Sequence, residues 1–205
     1  MDLDHVILAV RDLDVAAGYL EREHGLTSYF GGTHPDWGTA NRIVPLGTSY
    51  LELLAVVDDR TAVASDVGRW VGEGATAPGA PIGWAVRPDD LDATTRRLGL
   101  TAYTGSRARP DGVVLHWRMA GIERAFSEPQ LPFFIEWKEE ATYPGAPSGL
   151  GVRIESIQLE GNAAKLDAWL GTHVIPLEVR RGRAGITRVV LATNGGQVVL
   201  GGEVA

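Results

Sequence analysis

The chain has no cysteine in its 205 residues. That excludes disulfides, thiolate zinc sites and cysteine nucleophiles, so any metal would have to be held by His, Asp, Glu or neutral oxygen donors. Positive charge is scarce: 19 Lys and Arg face 26 Asp and Glu, a formal net charge of −7. An acidic chain repels phosphate backbones, which argues against nucleic acid as a partner. No apolar run approaches the roughly 18 residues that a membrane span requires. The opening MDLDHVILAV has neither a basic region nor a cleavage pattern and becomes a strand at once, so it does not read as a signal peptide. These absences set the expectation of a cytoplasmic protein that engages no membrane. Also missing are the Gly-x-Ser-x-Gly elbow, the Gly-x-x-x-x-Gly-Lys loop and the strand–Gly-x-Gly-x-x-Gly–helix fingerprint. GGTHPDWG is rich in glycine but precedes strands, not a helix, and makes a poor phosphate cradle.

What is present is a globular composition, 44% hydrophobic and 22% charged, with 26 glycines that foretell many turns. An internal repeat organises it. LDHVILAV (3–10) is β-branched and of strand length; DLDVAAGYLEREHG (12–25) carries Leu13, Ala16, Ala17 and Leu20 at helical spacing, with Asp12 as cap and Gly25 as stop. Three strands follow at 26–32, 39–47 and 48–57. From about residue 80 the pattern returns: Ala-Val-Arg recurs at 9–11 and 85–87, each time before an acidic helix start, and TAYTGS, GVVLHWRM and LPFFIEWKE supply the later strands. A weaker third copy fills 150–205, with Asn162 as cap and Gly171 as stop of its helix. The organisation read from this is module one over 1–57, a link over 58–79 with a short helix through 61–71, module two over 80–138, a Gly- and Pro-rich link over 139–149, and the third unit. The fold class is α+β, built from repeated strand–helix–three-strand modules.

Candidate site residues stand out against this pattern. SYLELLAVV (49–57) reads as a strand buried on both faces, and Glu52 is its misfit. A lone carboxylate there costs several kcal/mol unless paired or ligating. Glu52 either faces a cavity or pairs with an arginine such as Arg42 or Arg118. Glu136 sits alone in FFIEW at the end of the second repeat, while the third has Val199 near that position. In GGTHPDWGTAN (31–41), His34, Trp37, Thr39 and Asn41 go beyond what turn chemistry needs and are candidate substrate contacts. Alternation along VVLHWRM puts Val114, His116 and Arg118 on one face and Val113, Leu115 and Trp117 on the other. The first face either lines a cup, with His116 as acid or base and Arg118 as a substrate contact, or meets solvent. His24 and His173 are not assigned catalytic roles.

The repeat, its opening DHVILAV and DL, and its closing YLELL resemble the vicinal oxygen chelate superfamily, which includes glyoxalase I, extradiol dioxygenases and bleomycin-resistance proteins. GGTHPDWGTANRIVPLGTSYLEL (31–53) looks more narrowly like its glyoxalase-like members. The resemblance covers roughly 1–137. It implies two modules paired into a curved, mostly antiparallel β cup with helices outside and the site within. It maps His5, Glu52 and Glu136 onto metal-ligand positions for a divalent ion such as Zn, Mn, Fe or Ni, although Pro81 or Gly83 stands where module two should supply a further ligand. Without that resemblance, His5 reads equally well as a hydrogen-bonded core histidine. The implied activity is lyase, isomerase, epimerase or dioxygenase chemistry on a small carbonyl or vicinal-oxygen compound, with Glu52, Glu136 or His116 moving a proton. The alternative is a metal-free protein that sequesters a small, cationic ligand between Trp37, Trp84, Trp117 and Trp137. The third unit then either covers the cup or forms a contact with a second copy as a homodimer.

Overall fold

The computed structural model describes residues 1–109, 111–138, 143–145 and 151–202. Module one comprises β1 (Asp2–Ala9), α1 (Leu13–His24), β2 (Tyr29–His34), β3 (Thr39–Pro45) and β4 (Tyr50–Val56). The following link folds into two helices, α2 (Asp59–Ala64) and α3 (Asp66–Gly74), where the sequence suggested one. They part at Ser65, whose extended backbone ends the first helix and whose side chain caps the second. Module two comprises β5 (Ala80–Arg87), α4 (Leu91–Leu98), β6 (Ala102–Ala108), β7 (Val114–Ala120), a short helix α5 (Ile122–Ser127) not foreseen in the pattern, and β8 (Phe133–Trp137). Of the expected link over 139–149, residues 139–142 and 146–149 lie outside the described residues.

The helices start and stop as their sequences dictate. The Asp12 carboxylate accepts the backbone N–H groups of Asp14 and Val15 at the start of α1, and Gly25 closes it at φ 67°. Asp90 and Gly99 (φ 66°) do the same for α4. These matched caps align the modules: His5 and Gly83 each lie seven residues before the cap of their helix.

One sheet of eight strands runs β2-β3-β4-β1-β5-β8-β7-β6. The modules join where β1 pairs antiparallel with β5; within each, the first strand pairs parallel with the last, and the remaining pairs are antiparallel. The sheet curls until its two edges meet. At Gly32 an added Cβ would press on the backbone carbonyl of Ala108, so only glycine lets β2 approach β6 so closely. This is the curved, mostly antiparallel cup with helices outside.

The third unit has β9 (Arg153–Glu160), α6 (Ala163–Leu170), β10 (Leu177–Arg180), β11 (Gly185–Thr193) and β12 (Gly196–Gly201). Its element order repeats the others but its pairing does not. The strand order is β10-β9-β11-β12, with β10 parallel to β9. After α6 the chain returns beside the first strand, whereas in the first two modules the strand after the helix goes to the outer edge. This sheet packs on the outside of the cup. Val6, Leu8, Trp84, Val86 and Phe134 form one core with Ile157, Leu159, Val189 and Leu191. A second, smaller core fills the inside of the cup, where Ile7, Leu115, Trp117, Phe133 and Ile135 meet Val67 and Val71 of α3. Among the described residues, no helix is long and apolar enough to cross a membrane.

Candidate active site

Strand alternation decides which side chains enter the cup. His5, Ile7, Asn41, Tyr50, Glu52 and Leu54 enter from module one. Arg107, Trp117, Met119, Phe133, Ile135 and Trp137 enter from module two, and α3 adds Val67 and Trp70. The cavity is partly open to solvent, and its accessible volume is small, about 50 Å³.

A chain of polar contacts crosses this apolar interior. A register shift between Leu3 and His5 leaves Asp4 without a partner on β5, a bulge that turns its carboxylate inward. Asp4 is 0% exposed. It accepts from Arg87 Nη1 (3.3 Å) and Trp137 Nε1 (3.0 Å), and lies 2.6 Å from His5 Nδ1. That contact requires a proton on Nδ1, so a neutral His5 presents the lone pair of Nε2 to the cavity. Nε2 lies 3.6 Å from Glu52 Oε2. The other carboxylate oxygen accepts from Asn41 Nδ2 at 2.5 Å, and Asn41 Oδ1 accepts from Arg107 Nη1 at 2.6 Å. Tyr50 stacks on His5 with ring centroids 4.6 Å apart, and Phe133 meets the imidazole edge-on at 5.5 Å. Burial, with Asp4 and Glu52 adding to it, raises the Tyr50 phenol well above its usual range and keeps it protonated.

The misfit carboxylate thus faces the cavity. Its partner is neither Arg42, which binds Ser28 and Asp14, nor Arg118; it is Asn41, and through Asn41 a buried arginine. His34 and Trp37 also line the cavity, their rings 4.9 Å apart, and His34 Nδ1 is 3.1 Å from Thr39 Oγ1. Burial lowers the His34 pKa to about 4; Arg107 pushes the same way and Glu52 opposes.

Besides Thr39, which contacts His34 but does not line the cavity, and Trp84, three expected residues are not brought to this site. Glu136 lies on the outer face of β8, its side chain 41% exposed and ion-paired with Arg118 at 3.0 Å. The reason is phase: Phe133, Ile135 and Trp137 take the inward positions. Register shows the displacement directly. Glu52 pairs with Ile7 across β4 and β1, and the matching pair in module two is Phe133 with Ala85. Phe133, not Glu136, is therefore the counterpart of Glu52. Arg118 and His116 share the outer face of β7, because Leu115, Trp117 and Met119 point inward; His116 reaches only an outer recess beside His34 and Trp37. Trp84, expected in the wall, belongs instead to the outer core, and Trp70, to which the sequence did not point, stands in the wall.

Sequence reasoning missed Asp4, Tyr50, Arg107 and Trp70. Asp4 precedes His5 and Tyr50 stands two residues before Glu52, but a bulge and a stacking contact leave no pattern in a sequence. Arg107 sits in a strand of mixed polarity, and its inward face appears only through its pairing with β7.

A divalent ion held as the resemblance implies needs a third donor from module two. The counterparts of His5 and Glu52 there are Gly83 and Phe133, and the Trp70 ring lies where a side chain on Gly83 would project. Among the described residues, no group of three or more His, Asp and Glu side chains is placed to hold a metal ion. The donor set does not fit the ion.

No curated protein matches the sequence. Solved structures match the fold. A hypothetical protein from Staphylococcus aureus superposes with a TM-score of 0.63 at 15% identity, over 99% of this chain and 86% of its own. Methylmalonyl-CoA epimerase from Streptomyces coelicolor, in complex with 2-nitronate-propionyl-CoA, gives 0.50 at 18% identity, over 70% of this chain and 97% of its own. The family model described as a glyoxalase-like domain matches residues 3–175. With the paired modules and the enclosed cup, that match makes the chain a member of the glyoxalase-like domain family, within the vicinal oxygen chelate fold.

Proposed function

We propose that the protein is an enzyme that moves a proton at the carbon beside a carbonyl group of a small molecule, an isomerase- or lyase-type reaction run by side chains. The observation that carries this reading is the continuous line Asp4–His5–Glu52–Asn41–Arg107 across an otherwise apolar cavity. Two groups able to hold a proton, Glu52 Oε2 and His5 Nε2, face each other there. One takes the proton as the C–H bond breaks, and the electron pair moves onto the carbonyl oxygen. The N–H donors of Asn41 and Arg107 are available to the resulting enolate oxygen. The proton then returns to the same carbon, to its neighbour, or to a leaving group. Asp4 holds the imidazole in one tautomer throughout. Aromatic walls exclude water, which strengthens each of these interactions.

The test is solvent exchange. Small ketones and aldehydes are incubated with the protein in D₂O and followed by proton NMR. The expected result is deuterium uptake beside the carbonyl, reduced about a hundredfold or more by Glu52→Gln. The second reading, a protein that sequesters a small molecule, is favoured by the replacement of module two's polar positions with Gly83 and Phe133. Ligand binding with no exchange and no turnover is the outcome that selects it.

A further inference from the structure

Arg107 has an electrostatic position that proton transfer alone does not explain. It is 5% exposed and lines the cavity. Among the described residues no carboxylate lies within ion-pairing distance of it. Among the described residues its one side-chain hydrogen bond goes to a neutral amide, Asn41 Oδ1. Taking a guanidinium out of water is costly, and one amide oxygen returns little of that cost. No buried side-chain nitrogen or oxygen among the described residues lacks a partner, so Nε and Nη2 of Arg107, which bond no described residue, touch accessible space.

The surroundings keep the charge in place. Gly31 leaves room for it: an added Cβ there would overlap both Arg107 Nη1 and Asn41 Oδ1. The nearest acid in the chain of contacts, Glu52, is held one amide away and spends one oxygen on Asn41. Apart from His5, His34 and Tyr50 the remaining walls are apolar, with Leu54, Met119, Ile135 and Trp117 among them.

We infer that Arg107 docks a carboxylate, and that the cavity takes small 2-oxo acids with an apolar body in preference to neutral carbonyl compounds. The inference rests on the proton-transfer reading and narrows it to a substrate class. The planar guanidinium matches a carboxylate edge, and the 2-oxo carbon then lies beside the group that anchors it. The apolar tail lies against the aromatic walls of the partly open cavity.

The probes are 2-oxobutyrate and 4-methyl-2-oxopentanoate, each paired with its neutral amide, with affinities measured by ligand-observed NMR. Wild-type protein is expected to bind each acid at least about tenfold more tightly than its amide. Arg107→Met brings that ratio to about one by weakening the acid far more than the amide, and Arg107→Lys keeps part of the preference. Equal binding of acid and amide, no binding of either acid, or a preference that survives Arg107→Met overturns the inference. The wild-type comparison stands even where a variant fails to fold. Acid preference without deuterium exchange refutes the enzyme reading and leaves the anion site intact. Equal exchange on acids and amides does the reverse.

Discussion

His34 makes stability depend on pH in a way that can be worked out from its surroundings. Its ring is buried against Trp37 and Thr39, and burial holds its pKa near 4 against the ordinary 6.5. The unfolded chain therefore takes up a proton near 6.5 that the folded chain refuses until about 4. Between those values the unfolded state binds more protons, so stability rises with pH and falls as acid is added. The gap is about 2.5 pH units, and at about 1.36 kcal/mol per unit the full loss is about 3 kcal/mol. It is complete below pH 4 and absent above about pH 7. A typical domain has only about 5–15 kcal/mol to lose, so the effect is measurable. Urea unfolding of wild type and His34→Gln from pH 7.5 to 4 isolates it, because carboxylates elsewhere titrate equally in both. Wild type should lose about 3 kcal/mol more than the variant over that interval, whatever their offset at neutral pH. NMR of the His34 ring should show no titration until the pH approaches 4. Parallel stability curves, or a ring that titrates near 6.5, would refute the reasoning.

Four further outcomes follow from the same geometry. Asp4→Asn weakens the hold on the His5 ring and is expected to slow proton exchange by about 10–100-fold while the fold persists, checked by circular dichroism beside the NMR assay. Gly31→Ala meets only the flexible ends of Arg107 and Asn41; it should fold, cost about 1–3 kcal/mol in urea unfolding, and lose the preference for acids over amides. Phe133→Glu places a second carboxylate at the counterpart of Glu52, beside His5. It should confer Co²⁺ binding with a visible absorption band that wild type lacks, and an unchanged spectrum would count against the module alignment. A fragment ending at residue 149 uncovers Trp84, Val86 and Phe134, which share a core with the third unit; sedimentation should show aggregation, and a stable monomer would contradict the packing described.

The sequence by itself determined most of the elements and part of the cavity's lining. Asp12, Gly25, Asp90 and Gly99 cap helices by local chemistry, and those signals need no distant partner. The repeat announced two modules, and Glu52 announced a cavity because a lone acid in an apolar strand demands one. His34, Trp37 and Asn41 stood out in a Gly-rich link and His5 only through the family resemblance, and all four line that cavity.

Tertiary structure decided the rest. Whether Glu136 or Phe133 faces inward is a matter of strand phase, and a one-residue slip reverses every side chain. Glu136 looked like the twin of Glu52 by its setting in the sequence, yet register with β5 gives that place to Phe133. The third unit shares the element order of its predecessors but pairs its strands differently, because order along the chain does not fix which edges meet. Arg107 reaches Asn41 only because the curled sheet brings β6 against Gly31 and Gly32. Composition and periodicity report what a residue prefers locally. The charge it meets across a closed cup depends on register, curvature and a bulge at Asp4, none of which is written in any single stretch of sequence.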